Sequence, residues 1–127
     1  MLRSERGQSL VELALVMPLL ILLLAGMADL GRAFYGYISI TNGAREGARY
    51  AVRHFGQSPL SPTIESVAVS EALNGGAPLS GCVPTVATLN DWDGQAVRVT
   101  VRCTFTPLLW SGSFALQNSA AMKVEGS

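Results

Sequence analysis

Arg6-Gly7-Gln8-Ser9-Leu10-Val11-Glu12 leads straight into residues 13–28, a run without a charged side chain, and Asp29 and Arg32 close it. A helix needs about 20 mainly apolar residues to cross the hydrocarbon core of a bilayer. The uncharged run alone falls a little short of that. Residues 8–12 on one side, or the aromatic segment 34–37 on the other, supply the remainder. The stretch therefore reads as a membrane-spanning helix close to the N-terminus, and everything after it as a small body carried on a stalk.

Within that stretch Glu12 needs an explanation. A carboxylate placed deep in lipid costs roughly 2–3 kcal/mol. At headgroup level it would be an ordinary membrane-edge residue. Its spacing points elsewhere: Glu12 is the fifth residue after Gly7, and Gly7 follows the basic Arg6. A basic residue, a glycine, a polar residue, a glutamate five on and then a long apolar helix resemble the cleavage site of a type IV prepilin. That resemblance implies a membrane peptidase cutting after Gly7, a mature chain starting at Gln8, and a Glu12 carboxylate paired with a freed N-terminal amine in an assembling filament. Pairing of this kind compensates a charge at the membrane edge.

Further motifs narrow the resemblance. Pro18 lies inside the Leu-rich run, Asp29-Leu30-Gly31-Arg32-Ala33-Phe34 follows it, and Asn42-Gly43-Ala44-Arg45-Glu46-Gly47-Ala48-Arg49 comes after. Together with Arg6–Glu12 these resemble the TadE-like family, pseudopilin-like proteins of bacterial Tad/Flp tight-adherence pilus systems. The matching motifs cover about residues 6–52. The family implies a non-enzymatic structural or assembly subunit, anchored in the cytoplasmic membrane, whose partners are the membrane, the prepilin peptidase and other pilin-like subunits.

Two other readings of the N-terminal segment compete with this one. A basic start, an apolar centre and Gly26-Met27-Ala28 before Asp29 also resemble a secretory signal peptide. Glu12 and Pro18 inside the apolar region, and a helical pattern that runs on past Asp29, speak against it. The second is a membrane-anchored or secreted binding module with no link to pili, and processing after Gly7 separates it from a pilin-like subunit. Arg3 and Arg6 against Glu5 leave one excess positive charge on the N-terminal side. The positive-inside rule then places the N-terminus in the cytoplasm and the body outside.

The chain has 127 residues, 49% hydrophobic and 14% charged, with a formal net charge of zero. That balance suits one spanning helix plus a modest domain, and it leaves no electrostatic footprint for nucleic acid. The expected division is a leader over 1–7, a spanning segment over 8–30, an extracytoplasmic continuation of the helix over 31–55 and a head over 56–127.

No proline interrupts residues 29–55, and Phe34, Ile38, Ala44, Ala48, Ala51, Val52 and Phe55 recur at helical spacing. One continuous helix from about 9 to 54 follows, about 70 Å long and twice the bilayer core. Gly43 and Gly47 are four apart, as are Ala44 and Ala48, and small residues at that spacing admit a second backbone. The partner of the glycine pair is either another helix or the protein's own head; for the alanine pair the own head is favoured. A second helix starts with Ser61 as N-cap, Pro62 at its first position and Glu65 in its first turn, carries Ile64, Val67, Ala68 and Ala72 on one face, and ends at Asn74-Gly75-Gly76.

Residues 82–89 read as a strand kept at an edge by Pro84, and 90–94 as a turn. Asp91 and Asp93 in that turn are too few oxygen ligands for calcium. Val97, Val99, Val101, Cys103 and Phe105 alternate with Arg98, Thr100, Arg102 and Thr104, a strand with one face on a core and one in water. Pro107 closes it. Leu108-Leu109-Trp110 is an apolar loop that touches membrane or a partner, or covers the end of the sheet. Residues 116–124 form a last, antiparallel strand. The fold class is α+β and type IV pilin-like: a long N-terminal transmembrane helix extending into a small extracytoplasmic head with a second helix and an antiparallel sheet of three or four strands.

Cys82 and Cys103 are the only cysteines and both fall in the head. In an oxidising compartment they form a disulfide; two buried free thiols are the other reading. They and the single His54 are too few for a metal site, and no cofactor is expected. His54, at a helix end, reads as a partner of the helix dipole rather than a base. There is no glycine-rich phosphate loop, nucleophile elbow or paired catalytic carboxylate motif, so the sequence points away from an enzyme.

Overall fold

A computed structural model describes residues 3–56, 61–91 and 94–124. The order is α1 (Arg3–Arg53), α2 (Ser61–Asn74), β1 (Leu79–Asp91), β2 (Gly94–Phe105) and β3 (Phe114–Lys123). Helix α1 is 51 residues long, about 76 Å at 1.5 Å per residue. It begins six residues earlier than the sequence pattern places it and passes through Pro18 unbroken. A proline there removes one hydrogen bond of the helix, a loss that spanning helices tolerate.

The two halves of α1 have different surroundings. No residue of its apolar window is buried inside the protein, and the helix is long and apolar enough to cross a membrane. From Gly36 onward it carries a buried face. Its hydrophobic members are Ile40, Ala44, Ala48 and Ala51, spaced four, four and three apart, the repeat of one helical stripe. It differs in part from the expected stripe. Phe34, Ile38 and Phe55 are 65%, 40% and 37% exposed, so both phenylalanines point outward, while Ile40 and three alanines make up the inward stripe.

Three antiparallel strands form one sheet in the order β1-β2-β3. The central strand sends Val97, Val99, Val101, Cys103 and Phe105 into the core, as its alternation requires. Helix α2 adds Ile64, Ala68 and Ala72. Pro84 costs nothing in the ladder because β1 is an edge strand. Glu65, expected in the first turn of α2, is its fifth residue; the first turn carries no acidic group. The Ser61 side chain and residues 92–93 lie outside the described residues. Helix α2 ends at Asn74, and Gly76 (φ 67°) takes the left-handed conformation that a helix end demands.

Small residues set the distance between the layers. A methyl group built on Gly43 would collide with the carbonyl oxygen of Ala68 and lie 2.8 Å from the Ala72 Cβ. One built on Gly47 would lie 2.8 Å from the Ala68 Cβ and 3.1 Å from Val99. The close approach of these glycines is therefore to the protein's own second helix and sheet. Asn118 faces inward on β3, donating from Nδ2 to the Thr41 hydroxyl at 2.7 Å and accepting from the Ser119 amide at 2.8 Å. Tyr35 donates its hydroxyl proton to the Gly75 carbonyl at 2.6 Å, pinning the end of α2 to α1.

Gly43→Ala should destabilise the head by about 1–3 kcal/mol, because backbone on the facing helix cannot rotate away as a side chain can. Gly31→Ala, whose added methyl meets nothing within 4 Å, should be neutral or gain up to about 1 kcal/mol of helix propensity. Thermal melting of both variants in detergent, followed by near-ultraviolet circular dichroism, measures the difference; equal melting temperatures would show that the contact is slack.

Candidate functional site

Gly7, Gln8 and Glu12 lie on the exposed start of α1. Gln8 and Glu12 are one turn apart on the same face, and with Gly7, Val11 and Leu15 they line one shallow surface patch. A Cβ on Gly7 would meet nothing within 4 Å, so packing does not require a glycine there. Among the described residues the Glu12 carboxylate has no ion-pair partner in its own chain. The patch can thus receive a group from outside. Gly43 and Gly47 are not part of it: they lie about 45–50 Å further along the helix and are closed over by α2 and β2.

A junction that the sequence did not reveal sits where the spanning segment meets the head. The Asp29 carboxylate accepts hydrogen bonds from the Leu108 amide (2.9 Å to each oxygen) and from the Leu109 amide (3.0 Å). Arg32, one turn on, pairs with the same carboxylate at 2.9 Å. Its guanidinium also lies 5.5 Å from the centre of the Phe105 ring, within cation–π range. Phe105 packs on Phe114, its cross-strand partner, at 5.2 Å between ring centres. The loop between β2 and β3 is thereby closed at its base by two aromatic rings and held at its tip by a carboxylate on α1.

At the other end of α1, Nδ1 of His54 lies 3.0 Å from the Tyr50 carbonyl and its ring stacks on that of Tyr50 at 4.1 Å. Its partner is thus an end-of-helix carbonyl. Glu46 and Arg49 pair at 3.4 Å on the surface, an arrangement worth little to stability. Among the described residues no group of three or more His, Cys, Asp or Glu side chains is placed to hold a metal ion.

Cys82 and Cys103 are joined by a disulfide across β1 and β2. The strand register slips between Ser80 and Val83, so Gly81 and Cys82 together oppose Cys103. Such a bulge turns a side chain that would otherwise be out of phase toward its partner, and Gly81 accommodates it at φ 55°.

The geometry defines a class: an α+β head fused to one long helix whose exposed apolar half has the length and composition of a single-pass membrane anchor. Residues 7–49 match the family model described as TadE-like protein, a structural family associated with Tad pili. The match agrees with the resemblance carried by the sequence motifs and lies wholly within α1. No curated protein and no solved structure matches the chain.

The disulfide closes a sequence separation of 21 residues, which should contribute about 3 kcal/mol by restricting the unfolded chain. Reduction, or the double change Cys82→Ser and Cys103→Ser, should lower the melting temperature of the head by a similar amount in both cases. Two free thiols on mass analysis of protein taken from its own membrane would remove this contribution.

Proposed function

We propose that the chain is a non-enzymatic structural or assembly subunit, minor-pseudopilin-like, of a Tad/Flp-type pilus. The observation that carries this reading is the family match over residues 7–49. It begins at the glycine that the prepilin-like pattern marks and follows one unbroken helix through Glu12 and the glycine pair. In this reading α1 holds the protein in the bacterial cytoplasmic membrane, with the N-terminus in the cytoplasm and the head outside. A prepilin peptidase cuts between Gly7 and Gln8. Glu12 then pairs with the amine of a neighbouring pilin-like subunit, and the head supplies the surface exposed outside the membrane.

The structure is compatible with each step in physical terms. The Gly7–Gln8 bond lies on an exposed part of the helix, where a protease reaches it once the helix end frays. The Glu12 carboxylate is exposed. Removing one half of a well-buried ion pair costs roughly 3–5 kcal/mol, less near an interface, so the pair contributes to association rather than to folding.

Protein purified from its native membrane should begin at Gln8 when its N-terminus is sequenced or its intact mass is measured. A start at Asp29 would instead identify a signal peptide, and retention of the first residues an uncleaved anchor; either result overturns the processing step. Glu12→Leu should leave insertion, cleavage after Gly7 and head folding unchanged while weakening recovery of pilin-like partners after crosslinking. Equal recovery by altered and unaltered proteins would remove the assembly role of Glu12.

A further inference from the structure

We propose that the loop over residues 107–114 is a second membrane anchor, seated in the headgroup and upper acyl region of the leaflet on the head's side. The proposal rests on α1 spanning the bilayer and adds a contact that fixes the head against the lipid surface.

Three observations converge on it. First, the loop is apolar and uncovered: Leu108, Leu109, Trp110 and Phe114 are 73%, 53%, 74% and 49% exposed. Second, its position is set by Asp29, the first charged residue after the uncharged run. The two amides bonded to that carboxylate belong to Leu108 and Leu109, so the loop is held at the depth where the spanning segment ends. Third, Leu109 reaches past the junction. It lines an apolar groove along α1 together with Ala25, Leu22 and Pro18, residues inside the uncharged run. Ala25 is one turn before Asp29, about 6 Å further into the membrane. The apolar surface of the loop is therefore continuous with the apolar surface of the spanning helix, and what solvates one solvates the other.

The chemistry of the loop suits an interface. Tryptophan concentrates at headgroup level because its ring is apolar and its N–H is polar. The Trp110 ring lies beside Gly112, where an added Cβ would fall 2.8 Å from it, so the glycine leaves room for the ring. The polar requirement of a loop in this position is met at Leu108 and Leu109. Amides facing lipid need partners, and two of the loop's amides find theirs on Asp29.

The test uses the full chain carrying Trp92→Phe, so that Trp110 is the only tryptophan. It is reconstituted in vesicles of phosphatidylethanolamine and phosphatidylglycerol containing lipids brominated either near the headgroup or near the chain end. The Trp110 emission should move to shorter wavelength than in the denatured chain. It should be quenched more by the shallow bromines than by the deep ones, and be shielded from aqueous acrylamide. Adding Asp29→Asn should weaken the shallow quenching while the Cys82–Cys103 disulfide and the near-ultraviolet spectrum of the head persist. Water-like emission with full acrylamide access, in vesicles from which alkali does not extract the chain, overturns the loop anchor and leaves the spanning helix in place. Shielding that disappears on dilution with excess lipid identifies another copy of the chain as the occupant and overturns it too. Extraction of the chain by alkali overturns both the loop anchor and the spanning helix.

Discussion

The closeness of α1 to α2 is the constraint on which the head depends. Gly43 meets backbone of α2, and Gly47 meets both Ala68 and Val99. Interaxial distances depend on the side chains at the contact, and glycines and alanines bring helix axes nearest to one another. Only with that spacing can one helix face serve α2 and the sheet at once. The large residues of the core then come from β2 and from one isoleucine on each helix, Ile40 and Ile64, and the rest of the helix faces is small: Val97, Val99, Val101 and Phe105 fill the space that Ala44, Ala48, Ala68 and Ala72 leave. A core this small gains little from bulk, so it relies on complementarity and on the Cys82–Cys103 bond within it.

The same helix also has the length and composition of a membrane anchor, and the Asp29 junction joins its two halves. Between Glu12 and Asp29 the exposed side chains are Leu, Ile, Val, Met, Ala and Pro; above Asp29, Arg45, Arg49 and Arg53 give α1 a polar outer face. A carboxylate at that border would be costly if unsatisfied. It is satisfied from both sides, by Arg32 along the helix and by loop amides across from it. Two charged groups that look in the sequence like neutralising flank residues thus fasten the far end of the sheet to the helix.

What the sequence made legible follows from the range of the interactions. The spanning run, the continuous helix, the Ser61-Pro62 start of α2 and the alternation of β2 are local patterns, and the elements form there, with α1 starting six residues earlier than its pattern. The inward face of α1 was read less well. Phe34, Ile38 and Phe55 have the right spacing and hydrophobicity, but a face closing against another backbone selects for smallness, and the stripe of Ile40, Ala44, Ala48 and Ala51 won. The Asp29 junction was illegible because it joins residues separated by 79 and 80 positions through backbone amides, and amides leave no trace in residue identity. The destination of Gly43 and Gly47 was undecided for a related reason: a small-residue pair announces a close neighbour without naming it.

Carrying anchor and head on one uninterrupted helix has a mechanical consequence. A flexible linker would let the head explore many orientations and would make contacts near Glu12 independent of contacts in the head. Here there is no linker: the described residues run in α-helical conformation through Glu12, Asp29 and Gly43. Rotation of the helix by one residue, about 100° at 3.6 residues per turn, would therefore carry the head, the 107–114 loop and the Glu12 patch around together. The direction in which Glu12 faces and the direction in which the head faces are one variable. A lateral contact near the N-terminus would consequently fix the orientation of the head, a coupling that the proposed role as an assembly subunit requires and that a tethered binding module does not.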